Sequence, residues 1–295
     1  RHPGCRVTVV CGPVAEGVFA RMPNRERTVI MEKRRYDLHW LRLWLATVGS
    51  RWDMVVDLRG SGLAYLLRAR RRAVRRQRRP VRMYEQHAAV LGFSPAPLPV
   101  AWTAPDDRAV AARLLPTDRP VVALGPTANW APKTWAPDRF ATLFRRLRAG
   151  PLPDAVPAVL GGAGPAERAL AEPVLTLLPE AIDLCGRLTI AETAACIARS
   201  RLYVGNDSGL MHLAAACGTP TVGLCGATAD RAVEMAPIGR LATWAMTADA
   251  PSMDALTVET AYATCVGLLD ADANGASERA HPVASLTPAA CSGTR

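Results

Sequence analysis

Short apolar runs with no polar face recur along this chain, and stretches of helical spacing separate them. The runs are Val7–Cys11, Thr28–Met31, Asp53–Leu58, Val121–Gly125, Ala158–Gly162, Leu202–Gly205 and Thr221–Cys225. A strand that is apolar on both faces must be covered on both faces, and parallel sheets sandwiched between helices do that. The intervening segments have the right pattern to be those helices. From Pro137 to Leu147, Phe140, Leu143, Phe144 and Leu147 fall at i, i+3, i+4 and i+7, with Pro137 suited to the first turn. Thr189 and Glu192 have the spacing of a capping box, which predicts a helix start. A third helix is predicted after Asp207-Ser208, through Met211 to Cys217, stopped by Gly218 and Pro220. Alternation of this kind predicts an α/β protein with parallel sheets.

The chain has 295 residues, 49% of them hydrophobic, which is enough for two cores. The Pro-rich stretch from Pro95 to Pro105 looks like a linker. The predicted division is a first lobe over residues 1–104 and a second over 105–269, with a mobile tail over 270–295 where periodicity is lost.

A net charge of +10 favours anionic partners. Arg68 to Arg79 holds eight Arg in twelve residues. The plain expectation is a solvated helix face and loop. The functional alternatives are an anionic membrane surface, a phosphorylated acceptor or nucleic acid. No aromatic residue interleaves within the run, which argues against a single-strand nucleic-acid groove. The eight Cys form no Cys-x-x-Cys pair and no cluster of zinc spacing, so they read as reduced thiols of a cytoplasmic protein, with no metal site. No apolar run reaches the roughly 18–20 residues of a membrane span, and no signal peptide is visible.

Several strand-to-helix junctions carry residues suited to chemistry. In Gly205-Asn206-Asp207-Ser208-Gly209-Leu210-Met211-His212, a strand ends in a polar turn that opens a helix of small residues. Free N–H groups and a partial positive charge at such a helix start attract phosphate. Ser208 can cap or donate, Gly209 lets a ligand approach the backbone, and His212 lies about one turn inside. Ordinary capping by Asp207 and Ser208, with His212 as a core histidine, explains the segment equally well. In the junction from Gly125 to Trp135, Thr127 and Lys133 are placed to meet phosphate oxygens, or Lys133 is merely solvated. The turn from Leu160 to Glu167 is Gly-rich but falls short of a full Gly-x-Gly-x-x-Gly. There Glu167 could bind ribose hydroxyls, or the segment is a tight turn. In Asp57-Leu58-Arg59-Gly60-Ser61, Arg59 is placed for an anionic acceptor or is an exposed loop residue.

Taken in order, these blocks resemble the bacterial heptosyltransferases of the lipopolysaccharide inner core. The resemblance rests on Trp52–Gly60, Lys133–Phe140, Leu184–Thr189, and Asp207-Ser208-Gly209-x-x-His212 with Gly218–Thr228 behind it. It implies the two-lobed GT-B fold and an inverting glycosyl transfer without a metal or a separate cofactor. The implied donor is a nucleotide sugar, ADP-heptose, and the implied acceptor is a phosphorylated lipid-linked glycan. Donor-binding residues would be Thr127, Lys133, Glu167, Asp207, Ser208, Gly209 and His212. The acceptor would meet Asp57 and Arg59. The implied place is cytoplasmic, with peripheral contact at the anionic inner face of the inner membrane. The family begins with a strand and a Gly-Asp turn whose Asp serves as general base. Residues 1–11 resemble the strand after that unit, so the base is expected upstream of Arg1, and the central first strand with it. A chain without the base would transfer sugar poorly, by about 10²–10⁴-fold. An Arg-rich nucleic-acid-binding protein and a nicotinamide-dependent oxidoreductase are the alternatives from other classes.

Overall fold

The computed structural model describes residues 4–75, 82–226, 228–247 and 252–274. The first lobe contains β1 (Val7–Cys11), β2 (Arg25–Ile30), α1 (Leu38–Val48), β3 (Trp52–Asp57), β4 (Ala69–Val74) and α2 (Met83–Val90). Its strands form two parallel pairs, β1 with β2 and β3 with β4. The second lobe runs α3 (Pro105–Leu114), β5 (Val121–Gly125), α4 (Pro137–Ala149), β6 (Val156–Val159), α5 (Pro165–Leu177), β7 (Ile182–Asp183) and α6 (Ile190–Arg199). It continues with β8 (Leu202–Asn206), α7 (Gly209–Ala216), β9 (Thr221–Cys225), α8 (Ala229–Met235), β10 (Ala242–Met246) and α9 (Val258–Asn274).

In the second lobe the apolar runs behave as their composition predicts. All residues of β5, β6, β8 and β9 are buried. They lie in one parallel sheet of order β10-β9-β8-β5-β6-β7. Strand alternation sends Val122 and Leu124 to one face, where Phe140, Phe144 and Leu147 of α4 meet Val174 of α5 and Cys265 of α9. Val121 and Ala123 face the other way, toward Ala111 of α3, Ile197 of α6 and Met211 of α7. The capping box forms: Glu192 N–H donates to Thr189 Oγ1 at 3.3 Å, and Thr189 N–H donates to the Glu192 carboxylate at 2.7 Å.

The first lobe departs from expectation. Val10, Ile30, Met54 and Val56 remain roughly 40% exposed, because two-stranded sheets offer helices too little surface to cover both faces. The described part of the Arg run is not a helix face. Ala69–Val74 is a strand whose alternation is masked by long cationic side chains, with Ala73 turned inward. Arg72 donates to the carbonyls of Ala64, Leu67 and Ala69, so its charge organises the preceding turn. Residues 76–79 of that run lie outside the described residues.

Other boundaries shift. β6 starts at Val156, so Leu160–Gly162 forms the turn after it rather than the strand. The edge strands are not among the expected runs: β7 is only two residues long, and β10, though apolar, is mostly half-buried. The end of α9 passes residue 270, where the tail was expected to begin. Its last turn is held by Leu269 in the core and by an Arg201–Asp272 ion pair at 2.6 Å. The rest of the predicted tail, 275–295, lies outside the described residues. No described helix is long and apolar enough to cross a membrane.

The linker from residue 95 to 104 has no regular structure, as its prolines imply. Ala101 N–H donates to the carbonyl of Ala216, tying it to the end of α7. Across it, Arg21 makes a two-pronged bond at 2.9 and 2.8 Å to Asp107, which is almost fully buried and also accepts from Ala104 N–H at 2.7 Å. Burial pushes the Asp107 carboxyl up, but these partners outweigh it and hold it below its ordinary value.

Trp135 sits where α4, the sheet and α9 meet. It is 2% exposed, packs edge-on to Phe140, and donates from its indole to Leu256 O at 2.8 Å. Trp135→Ala is expected to lower unfolding stability by about 3–5 kcal/mol, the range for deleting a large buried aromatic. Urea titration of the second lobe checks this, and a loss below about 1 kcal/mol would contradict the packing described.

Candidate functional site

The chain leaves β5 toward β6 and β7, then crosses back to β8 and proceeds to β9 and β10. The order therefore reverses between β5 and β8, which pair in register from Val122↔Leu202 to Gly125↔Gly205. In open parallel sheets such a reversal spreads the loops beyond the carboxyl ends apart and leaves a crevice. Two of the junctions singled out in sequence, Pro126–Ala136 and Asp207–Ser208, flank this crevice.

Asn206, the last residue of β8, joins them. Its side chain is fully buried. Its amide donates to Pro126 O at 2.7 Å, and its Oδ1 accepts from Trp135 N–H at 3.1 Å. Both ends of the long loop are thereby fixed to one side chain. Sequence reasoning missed this residue. An amide at a strand end before Asp-Ser is a usable signal, but the two partners it stitches lie 80 and 71 residues away.

The fixed loop carries Lys133 in a short 3₁₀ turn, Ala131–Lys133. Its Nζ lies 2.6 Å from Asp207 Oδ2. The two residues assigned to one anion site are thus brought together from 74 positions apart, and they are paired with each other. Among the described hydrogen bonds, the Asp207 carboxylate makes none to the start of α7. Ser208 occupies the N-cap position of α7 without a side-chain cap bond. Its Oγ is buried and has no partner. Ordinary capping is thus not what this turn does: the first N–H groups of α7 receive no side-chain oxygen, and the helix end keeps its partial positive charge. The space a side chain would take at Gly209 is open, so a ligand can approach the backbone there.

His212 lies one turn into α7, partly buried, within electrostatic reach of both charges. Burial pushes its pKa below the ordinary value; Asp207 pulls it up and Lys133 pushes it down again. The net shift favours the neutral ring.

Thr127, Glu167 and Cys185 converge on the turn after β6. A Cβ at Gly161 would come within 2.8 Å of Cys185 Sγ, 3.1 Å of Thr127 Cγ2 and 3.6 Å of Glu167 Oε2. Thr127 is 2% exposed, so it is not a solvated loop residue. Glu167 accepts from Gly162 N–H at 3.0 Å. The N–H that a dinucleotide pyrophosphate would use is thus taken by this chain's own carboxylate. Burial lifts the Cys185 thiol to about 11, keeping it protonated at neutral pH.

The Asp57–Ser61 turn stands apart from this cluster. The Asp57 carboxylate accepts from the N–H groups of Arg59, Gly60 and Ser61 and from the Ser61 hydroxyl, each at 2.9 Å. Gly60 adopts φ +69°, and a Cβ there would lie 2.5 Å from Arg75 O. Asp57 therefore shapes the turn, and Arg59 projects from it exposed. No described hydrogen bond or ion pair links either residue to the crevice.

The depressed His212 pKa makes a stability prediction. The unfolded imidazole, near 6.5, binds a proton before the folded one does. The stabilisation is present above that value and is lost as pH falls through it toward the folded pKa. Urea midpoints at about pH 7.5 and 5.5 should fall more for the wild type than for His212→Gln. Equal falls would show that His212 is not held neutral by its surroundings.

Known proteins share this architecture. The family model for glycosyltransferase family 9 (heptosyltransferase) matches residues 45–263, from α1 into α9. Lipooligosaccharide heptosyltransferase 2 of Haemophilus influenzae is 31% identical over 120 residues, which span 39% of this chain and about a third (33%) of that curated relative. The solved structure of ADP-heptose lipopolysaccharide heptosyltransferase II of E. coli superposes with a TM-score of 0.71 at 18% identity, covering 92% of each chain. A family 9 glycosyl transferase from Veillonella parvula gives 0.72 at 17%, covering 90% of this chain and 88% of the other. E. coli heptosyltransferase WaaC with ADP gives 0.66 at 17%, covering 90% and 91%. The structural likenesses are likenesses of fold, and the match along most of the sequence adds the lineage: this chain belongs to glycosyltransferase family 9, the heptosyltransferases, with their two-lobed GT-B architecture.

Proposed function

We propose that the protein transfers heptose from ADP-heptose to a glycan acceptor of the lipopolysaccharide core or a related polymer, inverting the anomeric centre and using no metal. The observation that carries this reading is the uncapped start of α7 beside the Lys133–Asp207 pair at the switch-point crevice. Similar proteins have been solved with ADP and with ADP-2-deoxy-2-fluoro heptose. A diphosphate suits this crevice. Backbone N–H groups of Ser208 and Gly209 would meet one phosphate, Lys133 would turn from Asp207 to another, and Thr127 would add a hydroxyl. Glu167 would meet the ribose.

In the transfer, the acceptor oxygen bonds to the anomeric carbon as the bond to the diphosphate oxygen breaks. The electron pair leaves with ADP, and the acceptor proton passes to a base. No described residue is assigned as that base. Negative charge on the leaving diphosphate grows in the transition state. Lys133, the α7 dipole and a His212 that becomes protonated answer it without further rearrangement. Because these groups supply positive charge at the leaving oxygen, the reaction has no requirement for a cation there. The exposed Arg59 would hold the acceptor's phosphate. The exposed Arg68, Arg70 and Arg71 suit the anionic inner face of the membrane, where a lipid-linked acceptor would lie. The nicotinamide alternative loses its phosphate-binding N–H to Glu167, and the nucleic-acid alternative has no aromatic residue within the Arg run to stack a base.

Lys133→Met is expected to lower kcat/KM for ADP-heptose by about 10²–10³-fold, the scale for losing a charge-stabilising donor. The assay is mass-detected transfer to a heptose-deficient core acceptor, with circular dichroism to confirm folding. Undiminished transfer by folded Lys133→Met would remove the crevice from the mechanism. Donor binding should also tighten as pH falls from about 8 to about 6, because the diphosphate raises the His212 pKa; His212→Gln should abolish that slope.

A further inference from the structure

Tyr203 is a fully buried phenol in β8 that the donor site as described does not use. Its ring lies over two register-paired glycines at the switch point. A Cβ at Gly125 would fall 2.0 Å from Tyr203 Oη, and one at Gly205 would fall 2.4 Å from it. The glycines thus leave a slot through which the phenol runs along the sheet toward the carboxyl ends of β5 and β8. Its Oη has no hydrogen-bond partner. The polar side chain facing it is Ser208, near enough that its hydroxyl pulls against the burial that pushes the phenol's pKa up, but the two oxygens do not close to hydrogen-bond distance, and the buried Ser208 Oγ has no other partner. Two hydroxyls left unpaired in an interior are costly, and a phenylalanine would fill the same slot without that cost. They sit directly behind the start of α7, where the donor diphosphate is assigned.

We propose that Tyr203 is a positioning residue for the donor diphosphate, acting through Ser208: with donor bound, Tyr203 Oη donates to Ser208 Oγ, and the Ser208 hydroxyl donates to a diphosphate oxygen at the N-terminus of α7. This rests on the donor reading above. The direction of the relay follows from the acceptor at its end. A diphosphate oxygen only accepts, so Ser208 must spend its proton there and take its second bond from the phenol. A hydrogen bond to an ionised group is also the stronger kind, which gives the pair a reason to form when the anion is present.

The test uses wild type, Tyr203→Phe, Ser208→Ala and the double variant, with ADP as the probe. Melting temperature is read without and with ADP, and ADP affinity by calorimetry. Without ADP, Tyr203→Phe should melt at or above the wild type, because it removes an unpaired buried hydroxyl. Its ADP affinity should fall about 5–10-fold, the worth of one hydrogen bond passed on to a charged group. The double variant should bind no more weakly than Ser208→Ala, and KM for the acceptor should not move. Unchanged ADP affinity in Tyr203→Phe, lower melting without ADP, or a double variant weakened by the product of the singles would each overturn the inference while leaving the donor site intact. A wild type that does not bind ADP would overturn the donor reading and this inference together.

Discussion

The buried Asn206 amide is the interaction on which the rest of the site depends. It stands at the end of β8, where the sheet order reverses, and bonds to both ends of the loop that follows β5. A loop of this length would otherwise sample many conformations, and its Lys would be an ordinary solvated cation. Fixed at Pro126 and Trp135, it delivers Lys133 to Asp207 at hydrogen-bonding distance. Trp135, whose N–H bonds that buried amide, is itself buried and held by Leu256 just before α9. The fold core and the site therefore share one element.

Electrostatics follow from that geometry. The Asp207 carboxylate could have capped α7, but it answers Lys133 instead, and Ser208 turns its hydroxyl inward. The helix start is left with unspent N–H groups beside a cation already held in place. That arrangement is stable without a ligand, because each full charge has a partner, and it favours an arriving anion, because the partial charge of the helix does not. His212 adds a ring whose pKa burial and Lys133 lower against the pull of Asp207.

The parts of the fold that could be read directly were those whose physics is local. β5 and β9 have the bounds their apolar runs give, and the helix after Thr189 starts at its capping box. Pattern failed where side chains disguised it. Arg70, Arg71 and Arg72 concealed β4, since charge at successive positions reads as solvated surface although only Ala73 faces inward. It failed again for β7, which is two residues long and lies at the sheet edge. In the first lobe, runs apolar on both faces stay half exposed, because burial depends on neighbours that pattern does not count.

The residues of the proposed donor site were legible as types: a polar turn before a small-residue helix, a Lys in a junction, an acid after a Gly-rich turn. Their order along the chain also carried the family resemblance. By itself, then, the sequence determined the α/β class, the strands of the second lobe and the residues suited to an anion. The tertiary structure alone decided that Lys133 pairs with Asp207, that Asn206 pins the loop, and that the Tyr203 hydroxyl lies over Gly125 and Gly205. The reason is distance along the chain. Local propensity acts over a few residues, whereas these contacts join segments about 70–80 residues apart, or depend on which strand lies beside which, and only the order of the folded sheet brings them together.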